Sequence, residues 1–325
     1  MTIALTRRNA LLLTAAAAAS LSSPARAASK LRLSIATGGT GGVFYPYGGG
    51  LARVLSKHIP DLQATAEVTG GSVDNVKLIT AGDADLGFST IDSAIDAVQG
   101  VGPYADSGPQ KIATLAVLYD SFVHVVASGN SKIAKVADMK GKRVSVGSAG
   151  SSTEVMADRL LEAAGLDPQK DVSRDNLSVA ESVAALKDGK IDALFWAGGL
   201  PTSAITDLVT TANIKIVFVP AGDIIAKLNA KHPGIYRAYT MPKTVYAGTP
   251  ADVPGVGVAN ILFVAEGAPA ATITKILTGI FDNLDDVHKI HPEAAKLTLA
   301  GAVVKTALPL HPAALAFYKA RGALK

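Results

Sequence analysis

Apolar residues alternate with polar ones at Leu31, Leu33 and Ile35, then recur at helical spacing as Leu51, Val54, Leu55 and Ile59. A half-buried strand therefore hands over to an amphipathic helix, which Pro60 stops. Leu62, Ala64, Ala66 and Val68 alternate as a second strand, ending at Thr69-Gly70-Gly71-Ser72 with Ser72 as the N-cap of a helix that runs to Gly82. Ala84 to Phe88 predicts a third strand, and a new helix begins at Ser89-Thr90. Two apolar runs between Ile112 and Val126 follow, separated near Tyr119-Asp120-Ser121. The pattern then restarts. Arg143 to Val146 reads as a strand and Gly147 to Ser152 as a small-residue turn; Ser151 and Glu154 have capping-box spacing for a helix ending at Gly165. Asn176 to Val179 is the next strand, Ser178 and Glu181 cap the next helix, Gly189 ends it, and Ile191 to Trp196 is a third strand.

The restart is a repeat. Val76 to Phe88 aligns with Val183 to Phe195 as a helix end, a glycine (Gly82, Gly189), an aspartate (Asp85, Asp192) and a strand. Upstream, Gly38 stands 44 residues before Gly82, and Gly147 stands 42 before Gly189. The chain thus carries the order strand, turn, helix, strand, helix, strand twice. This predicts an α/β protein of two lobes, with ligands beyond the carboxyl ends of the strands. After Ile214 to Val219 the stretch from Asp223 to Asp252 is irregular, and Val256 to Val264 is a strand leading back to the first lobe. Ile273, Ile276, Leu277, Ile280, Phe281 and Leu284 then form an amphipathic helix. The expected division is residues 28–121 with 256–325 in lobe 1 and 122–255 in lobe 2, hinged near 119–128 and 245–260.

The glycine turn from Gly38 to Gly42 leaves backbone N–H groups free beside the positive end of a helix, which makes an anion-binding corner. As a dinucleotide fingerprint it fails, because Phe44 occupies the third glycine position and Glu67 alone ends the second strand. GxxxxGK, GxSxG and HExxH are missing from the sequence, so phosphate-loop, hydrolase-elbow and zincin chemistry lack their defining residues. His288 and His291 lie one turn apart, but Pro292 ends the helix there and no carboxylate partners them. Asp85 and Asp192 read as local caps under the strand ends. Trp196 is core or cleft wall; its strand ends at the cleft.

Composition narrows the setting. With 49% hydrophobic residues and no cysteine in 325 residues, two real cores are possible and disulfides are not. Arg7 and Arg8, the apolar run Ala10 to Leu21 and the small-residue site Ala25-Arg26-Ala27 follow one another in signal-peptide order. The expectation is cleavage near Ala27, with a soluble mature chain in the periplasm. Thr6-Arg7-Arg8-Asn9 partly matches a twin-arginine signal, but Ala10 stands where a large apolar residue is usual, so Sec and Tat both stay open. Loss of residues 1–27 removes three arginines and no acid, leaving a net charge of +1, which gives no pull towards nucleic acid.

TGGTGGVFYPYGGGLARVL, TGGSVDNVKLITAGDADLGFSTIDSA, DMKGKRVSVGSAGSSTEVMADRLLEAAGL, LKDGKIDALFWAGGLPTSAITDL and LPLHPAALAFYKARG together resemble the TAXI family, the extracytoplasmic solute receptors of TRAP transporters. The resemblance covers nearly all of the chain after the signal. It implies a periplasmic binding protein of type II topology, each lobe a mostly parallel sheet flanked by helices. Such a receptor captures a small organic anion or amino acid, such as glutamate, glutamine or 2-oxoglutarate, and delivers it to a membrane permease, acting as a monomer without cofactor, metal or catalysis. The sequence departs from the family pattern at Ala149 to Thr153, at Phe88 to Asp92 and at Ala313. The candidate ligand-binding residues are Thr40, Gly41, Tyr45, Ser72 and Ser89 on one side, and Ser148, Gly150, Ser151, Ser152 and Thr153 on the other. Trp196, Gly198, Gly199 and Pro201 stand nearby. No Arg or Lys lies in these turns, so an anion is held by amides and hydroxyls, each charge-assisted bond contributing ~1.5 to 3 kcal/mol. Micromolar affinity needs about 8 kcal/mol, hence several bonds from both lobes and closure between them. Two other readings are weighed. A sensory receptor shares this fold; an exported cofactor-binding enzyme fits less well, because no nucleophile, base and orienter can be assembled from the turns.

Overall fold

The computed structural model describes residues 30–324; the segment read as an export signal lies outside them. The first unit is β1 (Leu31–Ala36), α1 (Phe44–His58), β2 (Leu62–Glu67), α2 (Ser72–Ala81), β3 (Leu86–Thr90) and α3 (Ile91–Gln99). After the long strand β4 (Ile112–Ser128), the second unit is β5 (Arg143–Ser145), α4 (Ser152–Ala163), β6 (Ser173–Asp175), α5 (Val179–Lys187), β7 (Ala193–Gly198) and α6 (Ser203–Thr210). Next come β8 (Ile216–Phe218), α7 (Ile225–Lys231), β9 (Arg237–Met241) and the second long strand, β10 (Val253–Ala265). The chain closes with α8 (Ala270–Phe281), α9 (Leu284–His288) and α10 (Pro312–Ala320). Among the described residues no helix is long and apolar enough to cross a membrane.

The strands order as β2-β1-β3-β10-β4-β7-β5-β6, with β8 on β4 and β9 on β10. In each unit the first strand lies between the second and third, all parallel. A long antiparallel strand then covers the third: β10 on β3, and β4 on β7. This is the two-lobed type II arrangement expected from the repeat. β4 pairs with β10 from Ile112 to Phe122 and with β7 from Phe122 to Ala127, so one strand serves both halves.

The matched aspartates do the same work in each unit. Asp85 accepts the Ser34 amide of β1 at 2.8 Å, and Asp192 accepts the Arg143 amide of β5 at 2.9 Å. Each carboxylate thus pins the entry of the third strand beside the first. One buried apolar cluster joins α2 and α3 to α4 and α7 across the two halves, through residues such as Val76, Ile95, Met156, Leu160 and Leu228. A second, under α1, α8 and α10, stays with the first half. A third, under α5 and α6, belongs to the second.

Three local expectations are corrected. Tyr119-Asp120-Ser121 does not interrupt the strand; β4 is unbroken, because Asn260 of β10 donates to Ser121 Oγ at 2.9 Å and satisfies the polar position within the sheet. The pairing with β10 merely slips register near Ala259. Ser72 is not an N-cap. Gly71 holds that place at φ 126, a conformation that favours glycine, and the Ser72 hydroxyl instead accepts the Thr90 amide at 3.1 Å, tying α2 to the end of β3. The strand expected over Asn176 to Val179 lies earlier, at Ser173–Asp175; Asn176 to Ser178 is a loop and Val179 opens α5, since Ser178 and Glu181 form a reciprocal capping box and Asn176 donates to the Gly147 carbonyl at 3.1 Å.

Candidate functional site

The strand ends of both units deliver helix N-termini to one place. Val43 and Phe44 of α1, Gly71 and Ser72 of α2, Ser151, Ser152 and Thr153 of α4, and Ser178 and Val179 of α5 all line a single cavity between the halves. Trp196, Ala197 and Gly198 at the end of β7, Tyr119 of β4 and Ser148 complete much of its wall. The first amides of a helix have no intrahelical partner. Among the described residues, those of Ser72, Ser152, Thr153 and Val179 make no hydrogen bond to protein. Four positive helix ends and their free N–H groups therefore surround the space.

Trp196 is held in the wall by a chain of bonds. Its Nε1 donates to Thr202 Oγ1 at 2.9 Å, and Thr202 Oγ1 donates to the Gly199 carbonyl at 2.8 Å. The Thr202 amide donates to the Tyr246 hydroxyl at 2.8 Å, which lies 2.9 Å from His124 Nε2, while His124 Nδ1 lies 3.2 Å from the Trp196 carbonyl. Within this network Tyr246 donates to Nε2 and Nδ1–H donates to the carbonyl. The imidazole is neutral, because burial pushes His124 down to about 4. Burial likewise pushes Tyr246 up to about 12. The indole lies against Gly42 of the first half, where an added Cβ would stand 2.8 Å from its Cη2.

The cleft is closed. The Gly150 carbonyl accepts the amides of Val73 and Asp74 at 3.1 Å each, and Ser203 Oγ donates to the Gly41 carbonyl at 3.0 Å. Buried Glu293 accepts the Leu200 amide at 2.6 Å; Lys296 Nζ stands 2.7 Å from its other oxygen, out of line for a hydrogen bond. Burial holds this carboxyl above its usual range. Next to the cleft, Arg159 of α4 donates to Asp96 at 2.6 Å and to the Tyr236 hydroxyl at 2.8 Å, and that hydroxyl donates to Asp92 of α3 at 2.8 Å.

Of the residues singled out from sequence, Ser72, Ser148, Ser151, Ser152, Thr153, Trp196 and Gly198 line the cavity. The others stand elsewhere. Gly41 and Gly150 use their carbonyls to hold the halves together. Ser89 is fully buried with its hydroxyl donating to the Thr90 carbonyl at 2.9 Å. Thr40 and Pro201 are exposed, Tyr45 is half-buried, and Gly199 packs against Glu293 and Tyr119. Sequence reasoning missed Phe44, Tyr119 and Ser178 as wall residues. Ser178 was within reach, since it aligns with Gly71 in the internal repeat. Tyr119 was not, because only the continuity of β4 carries it to the cleft. His288 and His291 are engaged locally, with the Leu297 carbonyl at 2.8 Å and the Glu293 amide at 3.0 Å.

The model of the NMT1-like family matches residues 35–322. Among solved structures, a protein of Bordetella bronchiseptica RB50 is 19% identical with a TM-score of 0.55, covering 91% of this chain and 82% of its own. A structure described as a periplasmic transporter is 16% identical with a TM-score of 0.54, covering 92% and 95%. An ancestral arginine-binding protein, solved with arginine, is 14% identical with a TM-score of 0.51, covering 82% and 98%. At these identities the likeness is one of fold, and the fold is that of type II periplasmic binding proteins. With the family model spanning nearly all of the described residues, the chain belongs to the NMT1-like family.

Proposed function

We propose that this protein is an exported solute receptor that captures a small organic anion between its two halves and delivers it to a TRAP-type permease. The observation that carries this reading is the convergence of four helix N-termini on one closed cavity whose wall holds no charged side chain. Free amides at helix ends stabilise a negative charge without a counter-ion. The donors come from both halves, so they act together only in the closed state, and a ligand that uses them shifts the population towards closure. The halves turn about the stretches of β4 and β10 where pairing passes from one half to the other. The motif-by-motif resemblance to TAXI receptors supports the permease as the recipient.

Titration of ligand-stripped protein with organic acids, followed by Trp196 emission and solution scattering, tests the capture step. A saturating ligand should shrink the radius of gyration and change the emission of this single tryptophan. A ligand that saturates without compaction refutes closure. Ion-driven uptake into vesicles carrying TRAP permease subunits, dependent on added receptor, tests delivery.

A further inference from the structure

On the receptor reading above, helix ends hold the acid groups of the ligand; the hinge end of the same cavity carries polar groups that this reading does not use. Among the described residues six buried side-chain atoms have no hydrogen-bond partner, and three of them stand together: Tyr47 Oη of α1, Tyr119 Oη of β4 and Glu293 Oε2. None of the three residues is more than 5% exposed. The Tyr47 and Tyr119 rings stack with centroids 6.2 Å apart. An added Cβ on Gly199 would stand 3.0 Å from both Tyr119 Cε2 and Glu293 Cδ, so ring edge and carboxyl meet across this glycine, beside the wall residues Tyr119 and Gly198. Burial, reinforced by the charge of Glu293, holds both phenols above their ordinary range.

The neighbours of this trio are committed elsewhere. The Ser121 hydroxyl next to Tyr119 is engaged with Asn260 at 2.9 Å and 3.2 Å. Glu293 Oε1 accepts the Leu200 amide at 2.6 Å. Lys296 Nζ, on a half-exposed side chain, balances the charge of Oε2 from 2.7 Å but lies out of line for a hydrogen bond. Folding normally finds a partner for every buried polar atom, so three unpaired in one place, behind a residue of the cavity wall, mark a subsite. Their chemistry is specific. A carboxylate oxygen only accepts, while each phenol accepts and donates. Because Lys296 already balances the carboxylate, the trio calls for a hydrogen-bond donor rather than for a bare charge. An ammonium or a hydroxyl supplies one; a methylene or a ketone leaves Oε2 unpaired, which is the costly case.

We infer that Glu293, with the hydroxyls of Tyr119 and Tyr47, forms a second subsite that binds an N–H or O–H donor on the body of the ligand, and so selects amino or hydroxy acids over keto acids and plain acids of the same length. Calorimetric titration of the ligand-stripped mature protein with two matched series tests this: glutamate, 2-hydroxyglutarate, 2-oxoglutarate and glutarate, and aspartate, malate and succinate. In at least one series a donor-bearing member should bind about ten-fold or more tightly than the members without a donor. Glutamate ahead of 2-hydroxyglutarate identifies the donor as an ammonium, and the reverse order as a hydroxyl. Acids that bind and compact the protein without this preference overturn the inference and leave the receptor reading standing. Failure of every acid to bind or to close the cleft overturns both. In Glu293→Gln the side-chain oxygen still accepts the Leu200 amide, but an NH2 group replaces Oε2 and meets the ligand donor as a second donor. The preference should fall by about ten-fold or reverse towards 2-oxoglutarate. If Glu293 only braces Leu200, all affinities fall together and the ratio stays as in the wild type, which overturns the inference. Should Glu293→Gln fail to fold, Tyr119→Phe, which removes one hydroxyl and keeps the stacked ring, carries the same test: its ratio should shrink by about three-fold or more, and an unchanged ratio overturns the subsite.

Discussion

The hydroxyl of Ser151 is occupied within the protein: it accepts the Glu154 amide at 3.2 Å and donates to the Ser148 carbonyl at 2.7 Å. Ser152, one residue on, has no such bond among the described residues, its amide is without a protein partner, and the residue lines the cavity. Two adjacent serines therefore divide the tasks of capping and binding. Ser151→Ala should lower stability by ~1 kcal/mol, as loss of an N-cap does. Ser152→Ala should leave the melting temperature unchanged and weaken anion binding about ten-fold or more, the loss of one charge-assisted bond. Thermal melts and calorimetry on the same samples separate the two. A Ser152→Ala protein with full affinity would remove the start of α4 from the site.

At the level of elements, β4 carries a titratable group into the core of the second half. His124 is fully buried and held neutral between Tyr246 and the Trp196 carbonyl. Its folded pKa is depressed to about 4, below the ordinary value of about 6.5. In that window the unfolded chain takes up a proton that the folded chain refuses. The contribution to stability is thus fully present above pH 6.5 and is lost as the pH falls towards 4, by about 3 kcal/mol over the whole window. Urea unfolding at pH 7 and pH 4.5 should show this loss in the wild type and a smaller one in His124→Gln. Equal losses in both would mean that carboxylates elsewhere carry the acid sensitivity. Because the same imidazole supports Trp196, acid should weaken the cavity wall before it unfolds the first half.

On the scale of the whole molecule, closure depends on how nearly the halves can approach. The indole of Trp196 leaves no room for a side chain at Gly42, and its own position is fixed by Thr202. Gly42→Ala should therefore hold the cleft partly open. Its ligand-saturated radius of gyration should exceed that of the wild type, and affinity should fall by about ten-fold. Unfolding free energy should change by less than ~1 kcal/mol, since the turn is not at positive φ and the core is untouched. Wild-type compaction in this variant would show that the ring yields. Elsewhere along the same boundary, Arg159 bridges α4 to Asp92 and Asp96 of α3 with every partner at least largely buried. Removing the arginine leaves two carboxylates without their counter-charge, so this bridge favours the closed arrangement independently of ligand.

Local order was legible in the chain because its causes are local. Alternation and helical spacing located the strands and helices, Gly82 and Gly189 marked helix ends, and the repeat of Asp85 in Asp192 announced two copies of one unit. The serines of the turn before α4 were visible as cavity residues for the same reason: a small-residue turn between a strand and a helix points its amides outward whatever surrounds it. Other features depended on residues far apart in sequence. Ser121 looked like a strand break until Asn260, 139 residues away, supplied its partner. Ser72 looked like a cap until Thr90 claimed its hydroxyl. Tyr119 entered the wall because β4 runs unbroken between the halves, and Gly41 and Gly150 left it because their carbonyls meet donors from the opposite half. Sequence by itself determined the elements, their duplication and the anion-favouring turns, since each follows from backbone geometry and neighbours a few residues away. Only the tertiary structure decided which polar groups stay free for a ligand, because a buried donor or acceptor is taken by whatever partner the packing brings within reach.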